Sequence, residues 1–268
     1  MPGTHAPSTA GSSAAIDIHM FPCLQDNYGF LLHNRETKVT ATIDTPEVEA
    51  IEAALAERQW QLTHILNTHH HYDHAGGNEA LKARHQCKVI GPSADAERIP
   101  GIDVGLDDGQ RFDFGGTEIL AMDVPGHTRG HMAYYVPAAG AAFVGDTIFA
   151  LGCGRLFEGT PTQMWASIQK LMALPDDTQL YCAHEYTQSN ARFAVTVDPD
   201  NEALRSRVLE IDEKRARGEP TVPTLLAVEK ATNPFLRPTA ESLQRTLGMI
   251  DVDPVSVFTE TRARKDNF

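Results

Sequence analysis

With 268 residues, 41% of them hydrophobic and 22% charged, the chain has room for one large domain or a domain with an appendage, and enough apolar material to rule out bulk disorder. The 36 acidic and 23 basic residues leave a formal charge of −13, which argues against nucleic acid or an anionic membrane as main partner, because both require a cationic surface. No apolar run approaches the roughly 20 residues that span a bilayer, and four cysteines without a CxxC or a pairing pattern point to free thiols in the cytoplasm.

Residues 1–14 are small, polar and rich in Pro, Gly and Ser, and read as a flexible tail without the features of a signal or transit peptide. Ile16–Phe21, Tyr28–His33 and Val39–Ile43 are short, aliphatic or aromatic, and separated by turn residues, which predicts adjacent antiparallel strands. In Pro46–Arg58, Val48, Ile51, Ala54 and Leu55 recur at helical spacing behind a proline, so a helix is expected. Leu62–Leu66 reads as a strand, Asn78–His85 as a helix and Lys88–Ile90 as extended. Further strands are predicted at Thr117–Val124, Met132–Val136, Ala142–Val144 and Gln179–Cys182, with a helix over Thr162–Leu174. Strands mixed with crossover helices imply an α/β layered core. Beyond Tyr186 the character turns helical: Ser189–Thr196, Asp200–Arg217, Pro223–Thr232 and Thr239–Leu247 are predicted helices, and only Val255–Phe258 reads as a brief strand.

The chemistry concentrates in Thr68-His69-His70-His71-Tyr72-Asp73-His74, directly after a predicted strand. In an extended turn alternate residues project to one side, so His69 and His71 can share one ion, while Asp73 and His74 further round can reach a second. Imidazole with carboxylate suits zinc, iron or manganese, and the lack of cysteine argues against a closed structural zinc site. Completing two sites requires more ligands. Each of the candidates His127, Asp146 and His184 follows a predicted strand beside small residues, and an aspartate between histidines can bridge two cations. His70 should point away from its neighbours and His131 should be structural, while His5, His19, His33, His64 and His85 lack ligand spacing. Asp44 reads equally as a turn residue or as an acceptor that orients a ligand imidazole. Two cations about 3.5–4 Å apart lower the pKa of a shared water from about 15.7 to about 7. The reaction class is therefore metal-dependent hydrolysis, with no G-x-S-x-G elbow in the chain.

Thr68–His74, Gly126-His127-Thr128, Gly145-Asp146-Thr147 and His184 together resemble the metal motifs of the metallo-β-lactamase superfold, which implies an αββα sandwich with the metals at one edge of the sheets. Gly152–Gly159, Cys182–Thr187 and Arg262–Phe268 are similar to glyoxalase II, the hydroxyacylglutathione hydrolases, including their C-terminal α-helical domain. The resemblance runs from about Ile16 to Phe268. It implies a catalytic domain over 15–187 and a helical substrate-binding domain over 188–268. It also implies two divalent ions, zinc with iron or manganese as alternatives: His69, His71 and His127 on one, Asp73, His74 and His184 on the other, and Asp146 bridging. Glutathione contacts would fall on Arg155, Phe157, Tyr186, Arg262 and Lys265, although Phe157 departs from relatives that carry a tyrosine hydroxyl there. The implied reaction is hydrolysis of S-D-lactoylglutathione to D-lactate and glutathione by a metal-bridging hydroxide, which Asp73 also orients, in a monomeric enzyme. A cationic end on an acidic chain suits an anionic thioester independently of the resemblance. Rival readings are a lactonase or β-lactamase, which would not need Arg262 and Lys265, and a glutathione persulfide dioxygenase holding one iron.

Overall fold

In the computed structural model, which describes residues 15–268, the chain opens with an antiparallel meander of β1 (Ile16–Cys23), β2 (Asn27–Asn34) and β3 (Thr40–Ile43). The same sheet continues in parallel through β4 (His64–Leu66), β5 (Lys88–Pro92) and β6 (Val104–Leu106). Parallel neighbours need crossovers. Helix α1 (Val48–Arg58) supplies the first, and the short α2 (Tyr72–Ala75) with α3 (Asn78–His85) the second. The expected tail over 1–14 lies outside the described residues.

A second sheet begins with the antiparallel strands β7 (Arg111–Phe114), β8 (Thr117–Asp123), β9 (Met132–Val136) and β10 (Ala141–Gly145). A small hairpin of β11 (Ile148–Phe149) and β12 (Gly152–Cys153) leads to helix α4 (Pro161–Met172). From there β13 (Gln179–Cys182) returns parallel to β10, and β14 (Thr224–Leu225) pairs on its outer edge. Helix α4 starts where the sequence dictates: Thr160 and Gln163 form a reciprocal capping box around Pro161.

Successive side chains of a strand face opposite ways, and this alternation divides the core. Leu31, Ile65 and Val89 pack outward with Ile51 and Leu55 of α1 and Leu81 of α3. Their neighbours Phe30, Leu32, Leu66 and Ile90 turn inward against Ile119, Tyr134 and Phe143 of the second sheet. The rings of Phe30 and Phe143 lie 5.6 Å apart across that interior. Met164, Ile168 and Leu171 of α4 join the same core, giving an αββα sandwich.

The C-terminal region carries α5 (Thr187–Val197), α6 (Glu202–Ala216), α7 (Leu226–Thr232), α8 (Glu241–Leu247) and α9 (Pro254–Asp266). Phe193, Phe235 and Phe258 share the core of the sandwich. Buried Glu229 of α7 accepts bonds from Arg207 and from the Leu151 backbone N–H, fastening the helices to the β11–β12 hairpin.

Three local expectations are corrected. Val255–Phe258 is not a strand but the first turns of α9, because the Asp253 side chain caps the Ser256 N–H and Pro254 occupies the first helical position. The helix expected over Pro223–Thr232 begins only at Leu226, since Thr224 and Leu225 pair with β13. Strands β6 and β7 were not anticipated: three and four residues long, with Gly105, Arg111 and Asp113 among them, they offer too little alternation to register.

Candidate metal centre

Four loops leaving β4, β8, β10 and β13 meet at one edge of the sandwich. The loop after β4 is held by Asp44, whose carboxylate accepts the Thr68 backbone N–H and hydroxyl, both at 2.7 Å. Asp44 sits at a φ of +58°, a left-handed position that its short polar side chain tolerates. The same carboxylate accepts from Nδ1 of His74 at 2.8 Å, which turns His74 Nε2 inward. Asp44 is thus a ligand-orienting acceptor and a turn residue at once. At the end of β10, Gly145 has a φ of +46°, and a Cβ there would stand 2.7 Å from His131 Nε2, so only glycine leads the chain into Asp146.

The seven expected ligands come together. His71 Nδ1 lies 3.0 Å from His69 Nε2 and 3.1 Å from His127 Nε2. Asp146 places Oδ2 3.3 Å from His127 Nε2, and Oδ1 3.5 Å from both His74 Nε2 and His184 Nε2. Asp73 Oδ2 faces the same two imidazoles at 3.5 and 3.6 Å. One oxygen of Asp146 therefore addresses the His69–His71–His127 cluster and the other addresses Asp73–His74–His184.

The charges around these groups favour a cation. His74 Nε2 and Asp146 Oδ1 are buried without a hydrogen-bond partner, a state that costs about 1–3 kcal/mol per group unless an ion satisfies it. Burial, then the neighbouring imidazoles, push His69 far down and His71 to about 4, so both keep a lone pair free at neutral pH. Burial alone would lower His74 as well, but the carboxylates of Asp146, Asp44 and Asp73 outweigh it and raise it to about 9. Burial would raise Asp146, yet the imidazoles of His74, His184 and His127 hold it well below the usual carboxylate range. Nitrogen and oxygen donors gathered around a shared carboxylate are a donor set suited to divalent cations.

The other histidines fall elsewhere. His70 turns away to Asp95 Oδ2 at 3.1 Å and receives a bond from Arg98. Buried His131 accepts the Asp146 backbone N–H at 3.0 Å and stacks on His69, so it steadies two ligands without facing an ion. His33 binds Thr40 and stacks on Trp60, and His85 pairs with Glu52, none of them a residue of the cluster.

A cavity of about 750 Å³ opens over the two clusters, within the usual range for small-molecule sites. Its walls include Arg155, Phe157, Tyr186, Arg262 and Lys265, all the expected substrate contacts, together with Phe149 and Arg192. The loop bearing Arg155 and Phe157 is tied to the metal loops: the Arg155 carbonyl meets His127 Nδ1 at 2.9 Å, and Glu158 is clasped by Arg98. The Tyr186 ring lies parallel to His184 at 4.7 Å. Arg262 is buried, donating to the Cys153 carbonyl and to Asp266. Lys265 reaches the Ser189 carbonyl and lies over the rings of Phe193 and Phe268. Sequence reasoning missed Asp26, which accepts from His184 Nδ1 at 2.9 Å, and Asn27, which donates to Asp73 Oδ2 at 3.1 Å.

Residues 39–184 match the profile of the metallo-beta-lactamase superfamily, and residues 185–268 match that of the hydroxyacylglutathione hydrolase C-terminus. The hydroxyacylglutathione hydrolase of Maricaulis maris is 53% identical over 94% of this chain and 98% of its own length, and that of Ruegeria pomeroyi is 53% identical over 94% and 99%. The chain belongs to the hydroxyacylglutathione hydrolase family. Among solved structures, ETHE1 from Myxococcus xanthus superposes with a TM-score of 0.64 at 24% identity, covering 93% of this chain and 98% of that one. TTHA1623 in a di-iron-bound form gives 0.59 at 24% identity over 82% and 100%. These two likenesses extend to the fold alone.

Proposed function

We propose that this hydrolase cleaves the thioester of S-D-lactoylglutathione and related 2-hydroxyacylglutathiones, releasing the hydroxy acid and glutathione in the second step of methylglyoxal detoxification. The observation that carries the reading is the facing of two halves in one cavity: His71, Asp73, His127, Asp146 and His184 on one side, with His69 and His74 buried behind them, and Arg155, Tyr186, Arg262 and Lys265 on the other. His69, His71 and His127 would hold one divalent ion, Asp73, His74 and His184 a second, and Asp146 both, with zinc the preferred metal and iron or manganese acceptable to the same donors. When bound, the ions supply a hydroxide nucleophile near neutral pH and draw electron density from the thioester carbonyl.

The chain's own residues do the rest. Asp146, fixed through its backbone by His131, keeps one carboxylate oxygen for each cluster. Asp73, partly exposed at the cavity mouth, orients the attacking water. Arg155 and Lys265 attract the glutathione carboxylates, and the exposed rings of Phe157 and Tyr186 flank the thioester. A thiolate is a good leaving group, so no strong acid is needed opposite it. Residues 15–187 would form the catalytic domain and 188–268 the substrate-binding one. A monomer is supported by a site built wholly from one chain, and a cytoplasmic setting by four buried free thiols.

The test follows loss of thioester absorbance in the metal-loaded wild type, Asp146→Ala and Lys265→Ala. Hydrolysis by the wild type, its abolition in the first variant and a raised KM in the second are expected; a metal-loaded wild type inert toward every glutathione thioester refutes the reading.

A further inference from the structure

Building on that two-cation reading, we propose that Asp26 and Asn27, adjacent at the tip between β1 and β2, are the positioning residues of the second cation: Asp26 sets His184 and Asn27 sets Asp73. The Asp26 carboxylate accepts from His184 Nδ1 at 2.9 Å. With that nitrogen carrying the proton, the Nε2 lone pair is directed at Asp146 and Asp73. The Tyr186 ring, parallel to His184 within 2°, closes one face of the imidazole and leaves it little freedom to rotate. Asn27 Nδ2 donates at 3.1 Å to Asp73 Oδ2, the oxygen that faces His74 and His184, and so fixes the rotation of a carboxylate that would otherwise swing at the cavity mouth.

The pair is held in place from behind. Glu185 N–H donates to the Asp26 carbonyl at 2.8 Å and Tyr28 N–H to the Ala183 carbonyl at 2.7 Å, so Asn27 and His184 face each other as an antiparallel bridge between the two sheets. The Tyr28 hydroxyl bonds Glu185 at 2.7 Å, and Glu185 in turn accepts the Thr221 N–H and hydroxyl. The tip of the first sheet is thereby zipped onto the strand end that delivers His184.

The selectivity follows from what anchors the other ligands. His69 Nδ1 leans on Thr68, His127 Nδ1 on the Arg155 carbonyl and His74 Nδ1 on Asp44. Of the seven ligand side chains, those of Asp26 and Asn27 bond only His184 and Asp73, so their loss should weaken one ion and spare the other.

The experiment equilibrates zinc-loaded wild type, Asp26→Ala, Asp26→Asn and Asn27→Ala against graded free zinc and measures zinc per chain, with thermal unfolding in parallel. Side chains that hold a ligand from behind in this way are worth about 10- to 100-fold in metal affinity. The second zinc dissociation constant should rise by that factor in Asp26→Ala and Asn27→Ala while the first stays at its wild-type value. Asp26→Asn, which keeps an oxygen toward His184, should lose less. Wild-type constants in both alanine variants, or equal weakening of both constants, would overturn the proposal. Thioester hydrolysis by the same wild-type preparation separates the two ideas: a protein that binds two zinc ions and cleaves nothing refutes the thioesterase reading while the zinc series still decides the pair.

Discussion

Lys265 offers the most discriminating test of the substrate wall. Its ammonium is half-buried, and burial followed by the charges of Arg262, Arg192 and Arg155 lowers its pKa from the ordinary lysine value to about 8. The sign is fixed by the direction: in the free enzyme the cation is complete well below pH 8, is half lost near it, and disappears as pH rises through it. A glutathione carboxylate bound beside it favours the charged form and returns the pKa upward. Because kcat/KM reports groups of the free enzyme and kcat those of the complex, kcat/KM should fall above about pH 8 while kcat stays level to higher pH. The fall ends when the contact is lost, and a charge-assisted hydrogen bond of about 1.5–3 kcal/mol corresponds to roughly 10- to 150-fold. Lys265→Arg keeps its charge at every accessible pH, so its profile should lose the alkaline descent. Lys265→Ala should sit at the depressed level throughout. Initial rates at subsaturating substrate between pH 6 and pH 9.5 measure this. An alkaline limb that persists unchanged in both variants would refute the assignment.

Other perturbations reach other parts of the fold. Phe157→Tyr adds a hydroxyl on a ring that is 62% exposed at the cavity rim; one neutral hydrogen bond is worth about 0.5–1.5 kcal/mol, so KM should fall by roughly 2- to 10-fold with kcat unchanged in steady-state assays. Arg207→Met strands the fully buried carboxylate of Glu229, which costs about 3–5 kcal/mol. Calorimetry should show Tm lower by roughly 6–20 °C, with much of the loss recovered in the double variant with Glu229→Gln, which removes the unpaired charge and keeps an oxygen for the Leu151 N–H. Asp44→Asn keeps the left-handed backbone but turns an amide N–H toward the donors Thr68 and His74; zinc per chain should fall in metal buffers, with the affinity lost by about 10- to 100-fold.

Legibility from sequence tracked locality. Helix α4 could be read because its apolar residues recur within one short stretch, although its start at Pro161, set by the Thr160–Gln163 capping box, lies one residue before the expected Thr162. His69, His71, Asp73 and His74 were visible because a contiguous loop carries them, and His127, Asp146 and His184 because each follows a strand beside glycine or alanine. Asp26 and Asn27 had no such mark. A polar pair after Leu24 and Gln25 is ordinary turn composition, and the partners that give it meaning stand 158 and 46 positions away. The same reason hid the Arg98–Glu158 clasp, which joins residues 60 apart. Asp44 was legible only as two alternatives because its role depends on where His74 lands after the loop closes. The short edge strands β6 and β7 escaped because their pairing partners, not their own composition, make them strands.

These long-range bonds explain how an acidic chain can serve an anionic substrate. At −13 the protein as a whole repels glutathione thioesters, but at physiological ionic strength such repulsion fades beyond about 8 Å. Recognition is therefore decided by what lines the cavity. Arg155, Arg192, Arg262 and Lys265 converge there from three separate stretches of chain, and Arg262 can be buried only because Asp266 and the Cys153 carbonyl satisfy it. The hairpin that presents Cys153 is itself fixed by Glu229 through Leu151. The helical region thus does more than pack against the sandwich: it brings Arg192, Arg262 and Lys265 into the cavity that the ligand clusters share, and a change in its packing should register in substrate affinity before it registers in the rate of the chemical step.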